Sequence, residues 1–113
     1  MVRWVLRISV AASLLLIASH VAFTFKTYPS VTLESVQFAE LGLPLLFLAF
    51  LNGSVWSATS RPGLARLATH VANVLMLVVA GLVAHFAPVP PAYLVVGCAA
   101  ALAVSAVLAE LKP

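Results

Sequence analysis

Three histidines, three glutamates and one cysteine are the side chains in this sequence best able to exchange protons near neutral pH or to ligate a metal. His20, Glu40, His85 and Cys98 stand within long apolar runs, whereas Glu34, His70 and Glu110 lie near their ends. A carboxylate and two imidazoles brought to one depth of a membrane would make a proton or cation site, or one end of a ligand pocket. His20 and His85, if they faced each other from different helices, could instead hold a haem iron. Other chemistry finds no purchase in the residue order. The sequence has no zinc or iron-sulfur spacing, no Gly-rich phosphate loop, no nucleophile elbow and no close pair of carboxylates. Cys98 is alone, so an intrachain disulfide is ruled out.

The elements that must carry these groups follow from composition. Of 113 residues 64% are hydrophobic and 8% are charged, with no aspartate, and the mean hydropathy is +1.16. An ordinary soluble domain is about 25% charged, so lipid is the expected solvent. The net charge of +3 comes from cations placed in ones and twos beside apolar runs, which excludes a nucleic-acid footprint.

A hydrocarbon core of about 30 Å needs about 20 helical residues, and four runs fit. The spans are expected at about 4–25, 36–57, 64–86 and 91–109, in a single membrane domain covering residues 1–113. Pro62 and Gly63 close the second span. Pro88, Pro90 and Pro91 divide the uncharged stretch between Arg66 and Glu110 into two crossings. The first span follows Arg3 and Arg7 like an uncleaved signal, and its long apolar run predicts that it is retained. Arg3, Arg7, Arg61, Arg66 and Lys112 then fall on one side and Lys26 on the other. The positive-inside rule places both termini in the cytoplasm, so the expected fold is an all-α antiparallel four-helix transmembrane bundle in a cytoplasmic or inner membrane. Trp4, Trp56, Tyr28 and Tyr93 are expected at the interfaces.

With midpoints at Leu14, Phe47 and Met76, His20, Glu40 and His85 lie about 9, 10 and 13 Å to the outer side at 1.5 Å per residue. Gln37 joins this candidate ligand or proton site, in which Glu40 is expected to accept a hydrogen bond from one of the two imidazoles. Asn52, His70 and Asn73 form a second layer about 4–9 Å to the cytoplasmic side. Together with Ser9 and Ser13 these are expected to be polar packing groups between helices. On the fourth span Gly97, Ala101, Ser105 and Ala109 recur every fourth residue and predict a close-packing ridge.

Loops this short leave no extramembrane domain for soluble catalysis. The leading expectation is an accessory or structural subunit of a larger membrane complex, with lipid and other membrane subunits, or further copies of itself, as partners. The alternatives are a homo-oligomeric small transporter or channel using the outer Glu/His group, and a haem- or quinone-binding redox subunit.

Overall fold

The computed structural model describes residues 1–112, all of whose regular structure is helical. Four stretches are long and apolar enough to cross a membrane, Val2–Thr27, Leu33–Ser57, Gly63–Phe86 and Pro90–Glu110. The molecule measures 49 × 26 × 25 Å, longer than the roughly 40–45 Å of a bilayer with its headgroups.

Helix α1 (Val2–Thr27) stops where Pro29 pushes Tyr28 into an extended conformation. Its buried residues Leu6, Ser9, Ser13, Ile17 and Thr24 repeat at three, four or seven positions and so lie on one face. The hydroxyls on that face satisfy themselves. Ser9, Ser13 and Thr24 donate to the carbonyls of Val5, Ser9 and His20, one turn back, at 2.7–2.9 Å.

The second span begins at Leu33, three residues earlier than the apolar run suggested. A capping box sets that start: the Thr32 hydroxyl accepts from the Ser35 amide, and the Ser35 hydroxyl accepts from the Thr32 amide. Glu34 therefore sits in the first helical turn, where the helix dipole favours an acid. The span is not continuous. Helix α2 (Leu33–Glu40) ends in a tight turn at Leu41 and Gly42, and α3 (Leu43–Ser57) restarts with Pro44 in its first turn. Proline has no amide hydrogen, so the Glu40 carbonyl loses its partner four residues on and the ladder breaks there. The Leu41 and Gly42 amides bond instead to the Phe38 and Ala39 carbonyls, both at 3.3 Å.

Helix α4 (Gly63–Phe86) buries Thr69, Asn73, Ala80 and Ala84, and α5 (Pro90–Glu110) buries Ala92, Ala99, Leu102, Ser105, Ala106 and Ala109. Pro90 and Pro91 occupy the first turn of α5, where no amide is needed. One core cluster joins Ile17, Leu45, Leu48, Ala49 and Leu102; a second joins Leu6, Trp56, Ala106 and Ala109. Helix α5 packs on α1, α3 and α4, whereas α2 lies chiefly against α1.

The four small residues of the expected ridge do not share one environment on α5. Ser105 and Ala109 are buried and Ala101 is half-buried, but Gly97 is exposed, and a Cβ built on it would meet nothing within 4 Å. A four-residue repeat drifts by about 40° per step at 100° per residue, so three steps carry Gly97 about 120° away from Ala109. The face that closes on the other helices is Ala99, Leu102, Ala106 and Ala109, spaced by three and four.

Candidate functional site

The outer group does not assemble around Glu40. His20 points its Nε2 at the Phe38 carbonyl, 2.7 Å away, and stacks its ring on Phe38 with centroids 4.8 Å apart. A carbonyl oxygen only accepts, so Nε2 carries the proton. The helix break explains the choice of partner. In an unbroken helix the Phe38 carbonyl would take the Gly42 amide; here that amide has turned to Ala39, and His20 fills the place from α1. Gly42 lies beside the ring, where a built Cβ would sit in van der Waals contact with His20 at 3.4 Å. With that nitrogen engaged, His20 does not offer it to a haem iron.

His85 is exposed at the end of α4 and packs edge-on against Phe86 at 5.1 Å. Gln37 and Glu40 are exposed. Among the described residues no ion pair or side-chain hydrogen bond joins Glu40 to either histidine, so the expected pairing is absent. On α2 the side facing α1 carries Ser35, Phe38 and Ala39, and Glu40, about 200° round from Phe38, projects elsewhere. Replacing His20 by alanine is expected to cost about 1 kcal/mol by removing the shorter of the two hydrogen bonds to the Phe38 carbonyl, the Leu41 amide at 3.3 Å remaining, read as an earlier unfolding midpoint in detergent.

The inner layer is a connected network. Asn52 and Asn73 are 0% and 1% exposed and exchange two hydrogen bonds, at 2.8 and 3.1 Å. The Asn52 Nδ2 also donates to the Leu48 carbonyl at 2.9 Å, and its Oδ1 accepts from Trp56 Nε1 at 3.2 Å. The indole is donor-only and the carbonyl acceptor-only, so together they fix which way the amide points. Trp56, expected at the interface, is instead 4% exposed. Its polar edge finds Asn52 in place of headgroup water. Ser9 and Ser105 meet at 3.1 Å between α1 and α5.

A third group closes one end of the bundle, and it brings in residues that charge counting treats only as topology signals. Arg66 binds both oxygens of Glu110 at 2.8 and 2.6 Å, a bidentate pair, and His70 Nε2 lies 3.2 Å from Glu110 Oε1. The His70 ring packs against Trp56 at 5.3 Å. Arg61 lies 5.6 Å from the Trp56 ring centroid and donates to the carbonyls of Trp56 and Ala109, in the last turns of α3 and α5. A cation at a helix C-terminus meets the negative end of the dipole. Glu110 had a signal in the sequence: it follows Pro88 by as many residues as Arg66 precedes it, so a tight hairpin returns it to the same level.

Chemically, these groups bind one another. Among the described residues, every buried side-chain nitrogen and oxygen has a hydrogen-bond partner, and no three His, Cys, Asp or Glu side chains gather to hold a metal ion. Cys98 is half-buried against the main core cluster. The fold is thus an all-helical chain with four candidate membrane spans, compatible with a small multi-pass membrane protein. No family model matches it, and comparisons with curated proteins and with solved structures return no similar protein.

Proposed function

We propose that the protein is an accessory or structural subunit of a larger complex, spanning a cytoplasmic or inner membrane as an antiparallel bundle. The observation that carries this reading is that, among the described residues, every buried side-chain nitrogen and oxygen is hydrogen-bonded within the protein. Ser9 with Ser105 ties α1 to α5 and Asn52 with Asn73 ties α3 to α4, while Trp56 braces Asn52 from one turn on within α3. Among the described residues no buried polar side-chain atom is left unpaired, while large apolar side chains line the outside of every span. Purification in mild detergent tests the reading: foreign membrane subunits in fixed ratio are expected. A pure homo-oligomer would favour the small transporter or channel, for which Gln37 and Glu40 beside the broken span are the specific support. A Soret band would favour the redox subunit.

Both termini and the Arg61–Arg66 loop are placed in the cytoplasm on the five-to-one bias of cations. In a Cys98→Ala background, an impermeant thiol reagent added to intact cells is expected to label Ser30→Cys and not Ser60→Cys. Both positions are exposed, and the reverse pattern inverts the orientation.

A further inference from the structure

We infer that the face of the second span bearing Glu40 receives a transmembrane helix of another protein, one that carries a lysine or arginine at the depth of Glu40. The inference rests on the subunit reading above and names the chemistry of the partner. Of the three acids, Glu110 is held by Arg66 and His70, and Glu34 sits in the first turn of α2. Glu40, six residues deeper than Glu34, is exposed well inside the span and has no ion pair among the described residues. Its span, Leu33–Ser57, is centred on Leu45, so Glu40 lies about 7.5 Å from the centre of a hydrocarbon layer whose half-thickness is about 15 Å. At that depth a carboxylate facing lipid tails is costly, and a lipid headgroup amine would have to leave the interface to reach it.

Past the turn that follows Glu40 the surface of the span is hollow. An open apolar groove of about 370 Å³ runs between α3 and α4, lined by Pro44, Phe47 and Leu51 on one wall and Leu75 and Val79 on the other. Phe47 and Leu75 are 64% and 60% exposed. Pro44, at the end of the groove, follows Glu40 by four residues across the tight turn at Leu41 and Gly42, so an occupant of the groove that continues along the second span approaches the carboxylate as it crosses.

A second copy of this chain in the same orientation does not fit. A two-fold contact at Glu40 would bring two carboxylates together. The copy's Lys26 and His85 lie about 17 and 16 Å from the centres of their own spans, and its His20 is bonded to Phe38. Complementary charge at the right depth must come from a foreign helix.

The probe is a synthetic leucine-alanine transmembrane helix with one lysine about 7 Å from its centre, compared with the same helix bearing leucine there. Energy transfer to the labelled full-length protein in vesicles reads association. The lysine helix is expected to associate about tenfold more strongly, with the preference kept in Glu40→Asp and abolished in Glu40→Gln. Equal association of the two helices, or a preference that survives in Glu40→Gln, overturns the inference. An unchanged detergent-unfolding midpoint shows that Glu40→Gln is folded, and Leu75→Trp, which fills the groove from an exposed position, is expected to lower association by the same route. Purification from native membranes separates the two levels of the argument. Foreign subunits held by wild type and lost from Glu40→Gln are expected; subunits held equally by both leave the subunit reading intact and overturn the Glu40 contact. Absence of foreign subunits from wild type overturns the subunit reading itself.

Discussion

Asn52→Leu is expected to destabilise the protein by about 3 kcal/mol, the largest effect of any single polar substitution. Leucine is close in size but removes three partners at once. The Trp56 indole loses its acceptor, the Asn73 amide loses both of its bonds to Asn52, and the Leu48 carbonyl loses its second donor. A single interhelical hydrogen bond in a membrane contributes about 0.6–2 kcal/mol, but a buried donor left unpaired adds a penalty of about 1–3 kcal/mol. The network's behaviour as a unit gives the sharper test. Asn73→Leu alone is expected to cost about 2 kcal/mol, and Asn52→Leu with Asn73→Leu clearly less than the two singles combined, because the double variant leaves neither amide orphaned. Adding Trp56→Phe should recover more. Reversible unfolding in mixed detergent micelles supplies the four energies, and strict additivity would show that the two amides do not act together.

Ala106→Leu is expected to cost about 3 kcal/mol or to prevent assembly, with Ala99→Leu close behind. Both alanines are 0% exposed, at the contact of α5 with the other helices, so extra methylenes must displace backbone. Gly97→Leu is the control. It adds the same isobutyl group on the same helix into open space and should shift stability by no more than about 0.5 kcal/mol. Similar losses at all three positions would show that α5 resists bulk for a reason other than close contact. In lipid this contact carries weight because tails are as apolar as leucine, and helices associate by how closely their surfaces fit.

The break in the second span shows how far residue order reaches. Pro44 marks the place where a kink can occur, because a missing amide is a property of the residue itself. That the break falls at Leu41 and Gly42, and that it frees the Phe38 carbonyl for His20, depends on α1 lying alongside. Glu40 and His20 share a depth, but the imidazole met a nearer and better-aimed acceptor. The same division holds at the inner layer. Asn52 precedes Pro62 by ten residues and Asn73 follows Gly63 by ten, so a hairpin sets them level, and Trp56 follows Asn52 by one helical turn, yet that both amides turn toward each other and away from the surface depends on the packed helices.

Residue order by itself determined that there are four long apolar helical stretches, where the turns at Pro62-Gly63 and Pro88 to Pro91 fall, and where each polar group stands along its stretch. Each of these is a position along a helix axis, and at 1.5 Å per residue counting measures it. Tertiary structure alone decided rotation about the axis: that Gly97 and His85 face outward, that Trp56 faces inward, and that Glu40 turns away from both outer histidines. In water an apolar stripe on a polar helix would betray that rotation. Here lipid and bundle interior are both apolar, so the sequence carries little contrast between the two faces, and only the fit of neighbouring helices tells them apart.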